Sequence, residues 1–155
     1  MTKLLFTGMS GVGKSTILEH LRSEDAICID LDYDNWMMFD PACQDYLLDI
    51  TRITQLIQTD AHKHLFFAGT AVNQKEIYAQ LDWVITLTAP LEVMRARLLA
   101  RTTNPFGKKE EEWQKIIADK ERFEPLIIQS SHLTIATDQP LEQTLQKIRR
   151  LINSD

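Results

Sequence analysis

Short apolar runs and longer helical periodicities alternate along this chain. Residues 3–6 form a run short enough for a buried strand, and Ile17, Leu18 and Leu21 then recur at helical spacing over 14–22. A second buried strand is predicted at 26–29, running into Asp30-Leu31-Asp32-Tyr33-Asp34. A helix is predicted over 41–59, with Asp40 as N-cap, Pro41 at its first position and Tyr46, Leu47, Ile50, Ile53, Leu56 and Ile57 on its apolar side. Residues 65–68 make a third strand stopped by Gly69, and 70–80 read as loop and short helix. A fourth strand covers 83–87, and Pro90 opens a helix over 91–101. The cluster Thr103-Asn104-Pro105-Phe106-Gly107 is a turn, followed by a charged helix over 109–122. A fifth strand at 133–136 and a closing helix from Pro140 to 152 complete the chain. Strands alternating with helices predict an α/β fold whose parallel sheet is covered on both faces.

With 155 residues the chain is expected to form one domain, residues 1–155. Its composition, 44% hydrophobic and 25% charged, is that of a soluble globular protein. A net charge of −5 argues against a non-specific nucleic-acid surface. No apolar run approaches membrane-spanning length, and the immediate entry into the first strand leaves no room for a signal peptide. A cytoplasmic monomer or dimer is expected, with Cys28 and Cys43 as reduced core thiols. The four histidines show no metal-ligand spacing and are read as structural.

Chemistry enters with Gly8-Met9-Ser10-Gly11-Val12-Gly13-Lys14-Ser15-Thr16, which matches G-x-x-x-x-G-K-[ST] between a strand and a helix. Gly8, Gly11 and Gly13 let the backbone wrap a phosphate, and the amides of Ser10, Val12 and their neighbours point inward at a helix N-terminus. Lys14 reaches the β and γ phosphates, the Ser15 hydroxyl is suited to Mg²⁺, and Thr16 closes the motif. A nucleotide triphosphate, ATP, is the expected ligand. In open sheets of this kind ligands bind beyond the carboxyl ends of the strands. The second strand ends in Asp30, Asp32 and Asp34, which alternation places on one side unless the chain has already turned at Tyr33. One such carboxylate can hold the metal while another takes a proton from an attacking hydroxyl. The third strand is followed by no acid, so the usual Walker-B aspartate is missing there. Gly69 permits close approach to the backbone, and Thr70, Asn73 and Gln74 are neutral hydrogen-bonding candidates. After the fourth strand Arg97 and Arg101 share a helix face, and Arg101 leads into the Pro/Gly turn, a basic element able to close over phosphates.

In this order of parts the chain resembles the small P-loop kinases typified by shikimate kinase and gluconate kinase, relatives of the nucleoside monophosphate kinases. The resemblance covers nearly the whole chain. It implies a five-stranded parallel sheet of order 2-3-1-4-5 and a mobile lid around 102–122. It also implies Asp30 assisting Mg²⁺ or acting as base, Asp32 holding the acceptor hydroxyl, Arg101 on the ATP phosphates, and 137–139 near the adenine. Two departures matter. The glycine run of shikimate kinases after the third strand is reduced here to Gly69-Thr70, and residues 33–61 hold one arginine, Arg52, where an anionic acceptor wants several. The implied activity is transfer of the γ-phosphoryl group of ATP to a neutral or cationic small-molecule hydroxyl, with Asp34, Gly69 and Thr70 beside Asp32 in the acceptor site. Trp36, Met37, Met38 and Phe39 either wall that site or pack the next helix. The alternatives are a nucleoside monophosphate kinase and an ATP-binding regulatory module without catalysis. A GTPase switch is disfavoured, since D-x-x-G and N-K-x-D are both missing.

Overall fold

The computed structural model describes residues 1–59 and 62–153. Its centre is a parallel sheet of β1 (Lys3–Thr7), β2 (Ala26–Asp30), β5 (His64–Ala68), β6 (Trp83–Thr88) and β7 (Leu133–Ala136). The order across the sheet is β2-β5-β1-β6-β7, the topology expected from the sequence. Helices α1 (Lys14–His20), α2 (Ile50–Thr59), α3 (Leu91–Ala100), α4 (Glu110–Ser130) and α5 (Leu141–Asn153) flank it, and a 3₁₀ helix spans Gln74–Gln80. Alternate residues of β1 feed the two faces. Leu4 and Phe6 join the core under α1, α3 and α5, while Leu5 joins the core under α2 and the 3₁₀ helix. Leu4, Leu5 and Phe6 are fully buried, as a strand covered on both faces requires. Among the described residues no helix is long and apolar enough to cross a membrane.

Two elements depart from expectation, and both bear on the site. The predicted helix over 41–59 is instead a hairpin, β3 (Met37–Asp40) and β4 (Asp45–Leu48), followed by the shorter α2. The apolar positions had merged a strand with a helix. Met37 pairs with Leu48 and Phe39 with Tyr46, whose rings meet edge to face at 5.5 Å. Asp40 is not a helix cap. Its side chain accepts from the Ala42 amide at 3.0 Å and its carbonyl from Gln44 at 2.8 Å, with Gln44 left-handed at φ 54°, so the chain turns back. The cap of α2 is Asp49, which accepts from the Arg52 amide at 3.1 Å.

The second departure is α4, which runs past Arg122 and through Pro125 to Ser130. Proline removes a helix hydrogen bond at the Glu121 carbonyl, but Glu121 is exposed and the loss falls toward solvent. One turn on, the buried Glu124 takes Lys120 at 2.9 Å and Thr88 at 3.1 Å, and Lys120 also reaches the Ala89 carbonyl at 3.0 Å. These bonds fasten the helix to the end of β6. The cysteines also differ from expectation: Cys28 is half-buried and Cys43 is exposed at the hairpin turn, neither in a disulfide. His64 and His132 do structural work, each accepting a backbone amide through Nδ1, from Thr2 at 3.0 Å and Val84 at 2.8 Å.

Candidate active site

The site grows from the loop between β1 and α1. Gly13 caps α1 in the left-handed region at φ 100°, a conformation that suits glycine and turns the next amides toward the loop's hollow. Lys14 curls back into that hollow, donating to the Gly8 carbonyl at 2.6 Å and the Met9 carbonyl at 3.0 Å. Burial lowers its ammonium pKa from 10.5 to about 8, opposed by Asp32 and Asp30 and assisted by the like charge of Arg101. Those four groups therefore converge on one spot although they come from three separate stretches of chain. Among the described residues no carboxylate is bonded to this desolvated ammonium, so an anionic group in the hollow would supply its counter-charge.

Asp30 ends β2, and its Oδ2 accepts from the Ser15 hydroxyl at 2.7 Å. Its Oδ1 accepts the Asp32 amide at 3.1 Å, and its carbonyl accepts Tyr33 at 3.2 Å. The strand has thus turned before Asp34, which sits at φ 59° with Asn35 at the same angle. The simple alternation of three acids on one side does not hold, yet Asp32 and Asp34 still meet because the turn folds both onto one cavity. Burial raises the Asp32 carboxyl above its ordinary value, with Lys14 pulling it down and Asp30 pushing it up. Arg101 holds the turn that follows it, donating to the carbonyls of Asn104 at 2.9 Å and Phe106 at 2.7 Å.

Several expected contacts turn inward instead. A Cβ on Gly69 would lie 2.8 Å from that of Leu31, so Gly69 is needed for packing of β5 against the chain after β2. Gly69→Ala is expected to cost about 1–3 kcal/mol by overpacking, read as a lower urea midpoint with an unchanged slope. An unaltered midpoint would remove the packing account. Thr70 donates to the Gly8 carbonyl at 2.7 Å and accepts the Gly8 amide at 3.1 Å, bracing the phosphate loop as well as facing the cavity. Asn73 pairs with both backbone groups of Leu48, and buried Gln74 bonds Thr7, Ala71 and Tyr78. Asn73 thereby braces the hairpin, while Gln74 braces the 3₁₀ helix and also borders the cavity.

The sequence placed Arg97 on the helix face of Arg101 without giving it a role of its own. Its guanidinium donates to the Thr137 carbonyl at 2.6 Å, to Thr137 Oγ1 at 2.9 Å and to the Gly11 carbonyl at 3.4 Å. Thr137 in turn donates to the Val12 carbonyl at 2.6 Å, so the end of β7 is tied to the phosphate loop. The available signal was the four-residue spacing to Arg101, which puts one arginine over the loop and the other at the turn.

Beyond Asp32 opens a cavity of about 1040 Å³. The turn after β2 and the hairpin form one wall, with Trp36 and Met37 facing in, while Met38 and Phe39 are exposed. The second wall is α4, including the part beyond Arg122. Arg52, the one arginine of this region, does not face the cavity. It stacks on Trp36 at 3.7 Å and donates to the Asp34 carbonyl at 2.9 Å.

The pKa of Lys14 carries a pH signature. Nucleotide phosphates raise a lysine pKa, so binding above pH 8 takes up a proton that binding at pH 7 does not. Calorimetry in buffers of different ionisation enthalpy should show uptake growing from pH 7 to 9 in the wild type and not in Lys14→Met. An identical proton count in both would remove Lys14 from the phosphate site. For the free protein the sign is fixed by the same shift. The folded state holds fewer protons than the unfolded one between pH 8 and 10.5, so this group makes stability rise with pH over that window.

Known proteins share this fold. The chain superposes on a shikimate kinase from Acinetobacter baumannii in complex with shikimate (TM-score 0.66, 23% identity, 99% of this chain and 94% of that one). It superposes on a deoxyadenosine kinase from M. mycoides with bound dATP (TM-score 0.59, 17% identity, 99% and 100%). A sugar kinase from Janibacter sp. HTCC2649 gives a TM-score of 0.57 at 18% identity over 99% and 95%. At such identities the likeness is one of fold, and the fold is that of the P-loop kinases. No curated protein matches the chain. A family model described as an AAA domain matches residues 4–118, which hold the phosphate loop, Asp30, Asp32 and Arg101; the chain belongs to that family of P-loop domains.

Proposed function

We propose that this protein is an ATP-dependent kinase that moves the γ-phosphoryl group to a hydroxyl of a small molecule. The observation that carries the reading is the position of Asp32. It interacts with the phosphate-loop lysine on one side and faces a cavity large enough for a second substrate on the other. Lys14 and the loop amides hold the phosphates. Mg²⁺ fits beside them: the Ser15 hydroxyl and the Asp30 carboxylate are hard oxygen donors already 2.7 Å apart, and this cation keeps several waters for its remaining positions. When bound, it neutralises phosphate charge. Asp32 accepts the proton of the acceptor hydroxyl as that oxygen bonds to the γ-phosphorus and the bond to the ADP oxygen breaks. A carboxyl raised above its ordinary value is a better base than an exposed one. Arg101, with the turn it holds, closes on the phosphates and stabilises their developing charge.

Product analysis against hydroxyl compounds and nucleoside monophosphates tests the reading. A phosphorylated alcohol with stoichiometric ADP is expected. Turnover confined to nucleoside monophosphates would replace it with a monophosphate kinase, and ATP binding without transfer to any acceptor with an ATP-binding module.

A further inference from the structure

Resting on that reading, we propose that the acceptor is a ring-bearing alcohol without an anionic group, its apolar body clamped between the hairpin and α4. The first ground is size. A cavity of about 1040 Å³ lies at the upper end of the roughly 300–1,000 Å³ typical of sites for drug-sized ligands, far beyond the needs of a compact polyol. The second is where the molecule leaves its apolar groups uncovered. Ten large hydrophobic side chains are exposed among the described residues, and five of them, Tyr33, Tyr46, Val72, Phe123 and Leu126, face this one cavity. They come from four separate segments, so helix or strand packing does not explain the concentration. Contiguous uncovered apolar surface of this kind marks a binding site.

The third ground is charge. No arginine lines the cavity, and Arg52 is held behind Trp36. Lys115 is tied to Asp119 at 2.7 Å. Lys75 remains, facing Asp32, Asp34 and Asp45 across the same space. A carboxylate or phosphate on the acceptor would meet a net negative wall with no bidentate partner. Neutral and cationic groups meet no such cost. The hydroxyl is left to Asp32 at the inner end, and the ring to Trp36, Tyr46 and Phe123.

A matched series separates ring from charge: 1-(2-naphthyl)-1,2-ethanediol, 1-phenyl-1,2-ethanediol, glycerol and mandelate. Each is titrated by calorimetry with Mg²⁺ and a saturating non-hydrolysable ATP analogue, which keeps rings out of the nucleotide site. The naphthyl diol should bind at least tenfold more tightly than glycerol or mandelate, with the phenyl diol between. Phe123→Ala/Leu126→Ala, on half-exposed positions of α4, should lose about tenfold for the naphthyl diol while affinity for the analogue is unchanged. Tyr46→Ser tests the opposite wall should the double variant misfold. Equal or tighter binding of mandelate or glycerol overturns the inference, as does a series untouched by substitutions on either wall. The kinase reading fails separately: the expected affinity order with ATP present and no phosphorylated diol would exclude transfer and leave the ligand class standing.

Discussion

Lys14→Ala should bind ATP about 10- to 100-fold more weakly and transfer phosphoryl groups at least ~10²-fold more slowly, while remaining folded. The affinity estimate follows from losing charge-assisted hydrogen bonds, about 1.5–3 kcal/mol. The rate estimate follows from losing a positive charge where the transition state gathers negative charge. Stability separates this residue from a structural one. Holding the ammonium inside the loop lowers its pKa from 10.5 to about 8, a cost of about 3 kcal/mol at neutral pH. Removing it relieves that cost, and the Gly8 and Met9 carbonyls that lose their donor offset part of the gain. The urea midpoint of Lys14→Ala at pH 7 should therefore be equal to or above the wild type's. A large drop in midpoint, or unchanged ATP affinity by calorimetry, would place the lysine in the scaffold and not in the nucleotide site.

The phosphate loop was legible because its function demands a fixed spacing of glycine, lysine and hydroxyl between a strand and a helix. The parallel sheet was legible too, since strands buried on both faces read as continuous apolar runs such as 65–68. The walls of the cavity beyond Asp32 were less so. Tyr46 and Leu47 fit the helical period of Ile50, Ile53 and Ile57 by coincidence, and only the left-handed Gln44 with its bond to Asp40 turns them into a strand. The helix predicted to end at 122 runs on to 130, because the bonds of Glu124 with Lys120 and Thr88 anchor it across Pro125. Both errors hid the same thing. The hairpin and the far half of α4 are the two walls of the cavity, so a chain read element by element shows the phosphate loop and the acids and Trp36 beside it but not how the cavity is enclosed. For Arg97 the four-residue spacing to Arg101 gave the helix face, but its partner Thr137, forty residues on, has no local signature.

Asp32→Asn and Asp30→Asn should fail in different ways. The amide at position 32 cannot take a proton, so turnover should fall by on the order of 10²–10⁴-fold, the scale of a lost general base. ATP affinity should hold or improve slightly, because a negative charge next to the phosphate lysine has gone while Lys14 and the loop amides remain. The pH profile gives the sharper test. The wild-type rate should decline as pH falls through the raised Asp32 pKa, since the carboxylate form is the base, and that acid limb should vanish in Asp32→Asn. At position 30 the amide still accepts the Ser15 hydroxyl but is a poorer ligand for a hard cation. Asp30→Asn should therefore need more Mg²⁺ for half-maximal rate and recover much of its turnover at high Mg²⁺, keeping its acid limb. Asp34→Asn, past the turn, should change neither the Mg²⁺ requirement nor the acid limb. An exchanged pattern, with the acid limb lost in Asp30→Asn and the metal requirement raised in Asp32→Asn, would swap the two roles. Full activity of both variants would reduce the acids to turn residues, and transfer chemistry would then lose the feature that distinguishes this site from a simple nucleotide-binding loop.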